Sequence, residues 1–233
     1  MWFATLMFAW AATNCDGAEA CFQEGIKSLT ERNDAVSAAR AFGEACAAGH
    51  MMACANRGVM LERGDGVTAD PKKAADAYTK ACTAGQAIAC VGLGRLLANG
   101  KGLPQDDARA IGLFEAGCEA GHAAGCTAWA KMLDGGFGVE RDFELAVSTY
   151  HRGCDGGDAE ACVTLARRLG ALQRSDYALK VQGLWSRACL LDEAEACFRE
   201  AQLREAEETV DGRRAARELR RRACSLGFLD ACK

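Results

Sequence analysis

Proline is almost missing from these 233 residues, which hold two, and aromatic side chains make up only 7%. Scarce proline leaves long stretches without helix breakers. Scarce aromatics leave Ala, Leu and Cys to fill the core, so the elements must approach closely. An excess of one charge is also lacking. With 28 Lys and Arg against 32 Asp and Glu the formal net charge is −4, and the basic residues are spread out except near the end of the chain. This balance has no long-range attraction for phosphate backbones, so no nucleic-acid partner is expected. No apolar run reaches the roughly 20 residues that span a bilayer, so no membrane span is expected. Catalytic signatures are missing too: Ser-x-x-Lys, Lys-Thr-Gly, Gly-x-Ser-x-Gly, His-Glu-x-x-His, a Walker loop and Cys-x-x-Cys do not occur. The three histidines are His50 and His122, at matching places just past a glycine, and His151; they read as surface residues rather than zinc ligands. The sequence therefore assigns no catalytic, cofactor-binding or metal residue and implies no cofactor.

What the chain has in excess is cysteine, 14 residues at regular spacing. An even, periodic set points to disulfides, and hence to an oxidising compartment, secreted or periplasmic. Six pairs lie eight apart: Cys46 and Cys54, Cys82 and Cys90, Cys118 and Cys126, Cys154 and Cys162, Cys189 and Cys197, Cys224 and Cys232. First members recur every thirty-five or thirty-six residues, the signature of a repeat architecture. Cys15 and Cys21, six apart, open the series as a shortened end unit, and whether they bridge stays open. Eight residues of continuous helix span about 12 Å, whereas bridged Cα atoms stand about 4.4 to 6.8 Å apart. A turn must lie between the two cysteines, and the glycine three places after the first, at Gly49, Gly85, Gly121, Gly157 and Gly227, supplies it; only Asp192 departs.

Other residues keep the same register. Four places after the second cysteine stands a small residue, Gly25, Gly58, Gly94, Ala130, Ala166 or Ala201, read as a close approach of two helix backbones. Leu61, Leu97, Leu133 and Leu169 follow three later on the same face. Gly64-Asp65-Gly66, Gly100-Lys101-Gly102 and Gly136-Phe137-Gly138 then reverse the chain. A second helix starts at Asp34, Asp70, Asp106 or Asp142, with Asp176 and Asp211 one place out of register; Asp70 before Pro71 is the clearest N-cap. This helix carries a stripe through Phe42, Tyr78, Phe114, Tyr150 and Trp185, expected to be core between helices rather than the lining of a groove. Near the end, Glu193 to Asp211 is acidic and Arg213 to Arg222 basic. Mutual pairing is expected, the alternative being an arginine face that docks an acidic partner.

Trp2 to Ala12 is apolar and ends in small residues, so residues 1–14 read as a signal peptide or as a first helix. The rest reads as one domain, 15–233, of about six repeats: 17–49, 50–85, 86–121, 122–157, 158–192, 193–227 and a partial 228–233.

The segments AADAYTKACTAGQAIACVGLGRLLANGKGL and AVSTYHRGCDGGDAEACVTLA resemble the Sel-one-like repeat family, relatives of tetratricopeptide repeats, over about residues 15–233. With Cys-x7-Cys at the junctions, the nearest subgroup looks like the disulfide-rich Hcp-type bacterial proteins often named β-lactamase. The resemblance implies an all-α, right-handed superhelical solenoid of antiparallel helix pairs, with protein or peptide bound in a concave groove. It also implies an alternative, a binder of β-lactams or cell-wall (peptidoglycan) fragments with weak β-lactamase activity, although the serine β-lactamase motifs do not occur. Departures from the pattern fall at Gly170-Ala171-Leu172-Gln173-Arg174, at Glu205-Ala206-Glu207-Glu208 and at Arg220, which replaces the stripe aromatic.

Overall fold

A computed structural model describes residues 15–233; the signal-peptide or first-helix reading of 1–14 lies outside the described residues. These contain twelve α-helices, two short 3₁₀ segments and no strand, so the fold is all-α. The chain divides into two compact units, one ending at Gln105 and one beginning at Asp106. The first holds α1 (Ala18–Thr30), α2 (Ala35–Ala47), α3 (Met51–Arg63), α4 (Pro71–Thr83) and α5 (Ala87–Ala98). The second holds α6 (Asp107–Glu119), α7 (Ala123–Gly135), α8 (Phe143–Asp155), α9 (Ala159–Ala171), α10 (Ala178–Leu190), α11 (Ala194–Ala206) and α12 (Val210–Ser225). Within each unit every helix packs on its neighbour in sequence, and alternate helices also meet, α3 with α5 and α7 with α9.

The even helices start where an aspartate caps them. Asp34, Asp70, Asp106 and Asp142 each accept the backbone N–H three residues on, and Pro71 occupies the first turn behind Asp70. Asp176 and Asp211 are not caps. Asp176 lies in a 3₁₀ turn, Ser175–Tyr177, gripped by Arg174, and α10 starts behind Tyr177; Asp211 is already inside α12, which Thr209 caps through the N–H of Gly212. Both sit where the repeat shortens by a residue, which moves the helix start out of register with the aspartate.

Each even helix ends in the same way. The residue after the turn position donates its N–H back five residues, His50 to Ala45, Gln86 to Ala81, His122 to Gly117, Asp158 to Gly153, Glu193 to Ala188 and Phe228 to Ala223. This Schellman closure needs a left-handed residue, and φ is +91° at Gly49 and +63° at Asp192, a side-chain-bearing residue in a glycine's place. The reversal brings the cysteines together. All fourteen stand in seven pairs at bonding distance, Cys15 with Cys21 included, with Cα–Cα separations from 4.5 Å at Cys118 and Cys126 to 5.1 Å at Cys15 and Cys21.

The core is small-residue packing around a few rings. Ala38, Phe42, Ala74, Tyr78, Ala110, Phe114, Ala146, Tyr150 and Trp185 are buried, as are Leu61, Leu97, Leu133 and Leu169. At Gly25 and Gly58 the small residue after the second cysteine has a different cause from the one expected. A Cβ on Gly25 would stand 2.5 Å from the Phe42 ring, and one on Gly58 2.5 Å from the Tyr78 ring. These glycines seat the aromatic of the following helix rather than a second backbone. Gly94 is buried at the same place in α5, while Gly92 meets the hydroxyl end of the Tyr78 ring, at 2.6 Å.

Candidate interaction surface

A repeat fold offers faces rather than a cleft, so the question is which side chains each face leaves open. The ring stripe leaves none. Phe42, Tyr78, Phe114, Tyr150 and Trp185 are all turned into the core, as expected of the stripe.

The odd helices differ between the units. On α3 and α5 of the first unit the residue two places before the second cysteine is apolar and 40% exposed, Met52 and Ile88, whereas α1 has Glu19 there. Toward the other ends of these helices Glu62 of α3 holds Arg95 of α5 in a two-pronged pair at 2.9 and 2.6 Å and accepts the Tyr78 hydroxyl at 2.8 Å. Burial alone would raise the Glu62 carboxyl, but the Arg95 guanidinium and the Tyr78 hydroxyl outweigh it and hold it below its usual value. Burial, and then the hydrogen bond to Glu62, push the Tyr78 hydroxyl up, which keeps it a donor.

In the second unit the same place is charged on α9 and α11, Glu160 and Glu195, and is Ala124 on α7. Lys131 of α7 pairs with Glu160 of α9 at 2.5 Å, and Arg167 of α9 pairs with Glu195 of α11. Asp134, only 3% exposed in its side chain, takes Arg168 of α9 at 2.6 Å and faces Arg141 at 3.5 Å. The buried Tyr150 hydroxyl is pushed up by desolvation and by the charge of Asp134. Thr127 donates to Asp158 at 2.6 Å, so this face is a closed ladder of paired groups.

The histidines are placed by local structure. The His50 ring caps α3 by accepting the N–H of Ala53 at 3.1 Å, which leaves its Nε2–H to donate to Glu19 at 3.1 Å, and it stacks on Phe22 with centroids 4.1 Å apart. His122 stands at the start of α7 without a side-chain cap, and His151 is half-buried on α8. Among the described residues Cys15, Cys21 and Glu44 gather ligand-type atoms within 4.8 Å of one another, but sulfurs joined to each other have no thiolate to give a cation. No helix among the described residues is long and apolar enough to cross a membrane.

The basic run on α12 is only partly spent on pairing. Arg220 forms a two-pronged pair with Glu205 at 2.9 and 2.7 Å and lies over the Phe198 ring, its guanidinium in place of the missing aromatic. Arg222 reaches Asp192 and Arg213 the Glu208 carbonyl, both at 2.8 Å. Arg214, Arg217 and Arg221 are exposed and make no ion pair among the described residues, so mutual pairing of the acidic and basic segments is incomplete.

Two further contacts were not read from sequence. The second glycine of each connector lies on the start of the preceding even helix: a Cβ on Gly66 would fall 2.1 Å from the Ala35 carbonyl oxygen, on Gly102 2.4 Å from Pro71, and on Gly138 2.6 Å from Asp107. The signal was a constant offset of thirty-one residues. In the second unit Arg152 reaches the Cys118 carbonyl at 3.4 Å, and Arg187 the Asp155 carbonyl at 3.0 Å, cations docking on the preceding even helix's C-terminal end.

Compared with known proteins, the chain matches the Sel1 repeat family at residues 52–86, 87–122 and 123–158. No curated protein matches it in sequence. Among solved structures, a Sel1 repeat protein from Oxalobacter formigenes is similar at TM-score 0.78 and 23% identity, over 90% of this chain and 88% of that one. The c5321 protein, a protective antigen present in uropathogenic Escherichia coli strains displaying an SLR fold, is similar at TM-score 0.71 and 20% identity, over 92% of this chain and 47% of that one. The chain thus spans about half the length of c5321. The immunity protein Pa5087 from Pseudomonas aeruginosa is similar at TM-score 0.57 and 18% identity, over 93% of this chain and 83% of that one. Together the repeats and these likenesses show the fold, an all-α solenoid of the Sel1 type.

Proposed function

We propose that this chain, which carries three consecutive Sel1 repeats, is a scaffold that binds a protein or peptide in an oxidising compartment, secreted or periplasmic. Sel1 repeat proteins are generally protein-interaction scaffolds. The observation that carries the reading is the pair of apolar side chains, Met52 and Ile88, left 40% exposed at matching places on α3 and α5. Two such side chains at matching places on α3 and α5, helices that meet, make an apolar pair on one side of the unit. An extended or helical segment with apolar residues fits that pair better than it fits the charge ladder of the second unit. The repeat frame from 17 to 233 and the bridging of all seven cysteine pairs belong to the same proposal, and the bonding distances support the compartment. A peptidoglycan fragment is a second class of occupant that no observation favours.

Selection of peptides from a displayed random library against the oxidised chain tests the binding. Enriched sequences are expected to bear apolar residues and to lose binding to an Ile88→Glu, Met52→Glu variant; enrichment indifferent to both substitutions overturns the reading. Alkylation of natively isolated material tests the compartment, with no thiol expected to react before reduction.

A further inference from the structure

The connectors after α3, α5 and α7 each lay a glycine on the first residue of an earlier even helix. Gly66 rests on Ala35 of α2, Gly102 on Pro71 of α4 and Gly138 on Asp107 of α6, so closely that a Cβ would collide in each case. A branched apolar residue follows each glycine, Val67, Leu103 and Val139, and Val67 packs against the core of the first unit. The same interval leads from Phe143, the first residue of α8, to Arg174 in the connector after α9. Arg174 carries a side chain that so close an approach excludes, and its step to the start of α10 is one residue shorter than the glycines' step to the helices that follow them. Its guanidinium grips Asp176 at 3.0 and 2.8 Å and lies over the Tyr177 ring, 4.8 Å from the centroid. Thr209 holds the place in the last connector, where it caps α12.

Along the first turn of α8 the molecule keeps an open groove of about 470 Å³. Leu133, Val139, Glu140, Phe143, Glu144 and Leu145 line it, and the connector from α9 to α10 contributes no residue. The two other lining residues are engaged: Asp142 caps α8 through the N–H of Leu145, and Arg141 faces Asp134. Glu140 and Glu144 are exposed, and their carboxylates make no ion pair or hydrogen bond among the described residues; Arg174 acts on Glu144 through charge alone. The groove thus sets two uncommitted negative charges beside the apolar Val139, Phe143 and Leu145.

We propose that this groove takes a segment of a partner polypeptide in which lysine or arginine stands beside a glycine followed by valine or leucine, laid on the start of α8 as Gly66, Gly102 and Gly138 are laid on α2, α4 and α6. The glycine lets the segment approach the backbone of Phe143, the branched residue meets the apolar wall, and the cation answers Glu140 and Glu144. Other occupants fit less well. Residues 1–14 of this chain contain no glycine, lysine or arginine, and the Gly-x-Gly connectors of a second copy already rest on their own helices. A polyanion would meet two carboxylates. The site lies wholly in the second unit and shares with the Met52 and Ile88 pair only the class of partner, so either proposal stands or falls without the other.

The test uses the full oxidised chain and a fluorescent peptide that copies residues 99–105, Asn-Gly-Lys-Gly-Leu-Pro-Gln, in which Lys101, Gly102 and Leu103 supply the three features. Fluorescence anisotropy is expected to show binding at about 1 mM peptide or below, fading as salt rises. The peptide with Gly102→Ala is expected to bind at least about tenfold more weakly. Glu140→Lys, Glu144→Lys in the chain is expected to weaken binding at least about tenfold while lowering the melting temperature by no more than about 3 °C. Glu119→Lys on α6 and Met52→Glu, Ile88→Glu in the first unit are expected to leave it unchanged. Equal binding of the alanine peptide, no binding of either peptide, or binding that survives the Glu140, Glu144 substitution overturns the proposal. Binding lost only in Met52→Glu, Ile88→Glu overturns it too, while sustaining the apolar pair as a peptide site. So does sedimentation showing self-association that the Glu140, Glu144 substitution abolishes.

Discussion

The two units stack their odd helices by different means. In the first, the rings of Phe42 and Tyr78 press into the seats left by Gly25, Gly58 and Gly92, and one cluster, the buried Tyr78 with Glu62 and the half-exposed Arg95, ties α3, α4 and α5 together. In the second, alanine occupies the equivalent places at Ala130, Ala166 and Ala201, and the odd helices are held by a row of ion pairs, Lys131 with Glu160 and Arg167 with Glu195. The comparison teaches that steric fit and charge are alternative means of fixing one helix on the next. A seat made by deleting a side chain tolerates no addition, whereas an exposed ion pair tolerates loss. At one place on the odd helices the first unit leaves Met52 and Ile88 open, where the second has the paired Glu160 and Glu195.

Substitutions at particular residues sharpen that contrast. The largest effect is expected from Gly66→Ala, where the new Cβ meets a backbone carbonyl and φ is +68°; a loss of about 3 kcal/mol in chemical denaturation is expected, against a gain of about 0.5 to 1 kcal/mol for Gly183→Ala in α10, where the space is open. Next comes Gly58→Ala, which drives a methyl into the buried Tyr78 ring and is expected to cost about 1 to 3 kcal/mol; an unchanged unfolding midpoint would refute the seat.

Glu62→Gln follows, at about 1 to 2 kcal/mol, since it leaves the half-exposed Arg95 and the buried Tyr78 hydroxyl without their acceptor charge. Its sign with pH is fixed: the folded carboxyl titrates below its unfolded value, so its contribution is present above the unfolded pKa and is lost as pH falls through the folded one. Melting temperatures of the parent and Glu62→Gln should therefore converge in acid and separate toward neutral pH. The smallest effect belongs to the second unit. Lys131→Met is expected to change stability by less than about 0.5 kcal/mol, with the difference vanishing in high salt, and a larger loss would mean the ladder is not exchangeable for fit.

The repeat was legible because it is written in local chemistry. Gly49, Gly85, Gly121 and Gly157 carry the turn, the first four aspartates cap their helices, and the cysteines mark the junctions, all of which depend on neighbours within a few residues. Features set by contacts between helices were not legible. The need for glycine at Gly66 arises from Ala35, and that at Gly58 from Tyr78, and a sequence shows neither approach. Asp176 and Asp211 were misplaced because the shorter units slide the helix start. The arginines of α12 read as one block, yet geometry separates Arg220 and Arg222, which face carboxylates, from Arg217 and Arg221, which face nothing among the described residues. The open Met52 and Ile88 pair had no signal beyond two apolar residues at helical spacing.

Every cysteine pair closes a loop of neighbouring residues, so no bridge ties one hairpin to a distant one. A chain pulled by its two ends would then yield hairpin by hairpin, and each sealed loop would withhold about 25 Å of extension. Reducing agent in the bath would return that length as added steps in a force trace. Such a molecule behaves mechanically as a string of short hard knots separated by extensible spacers.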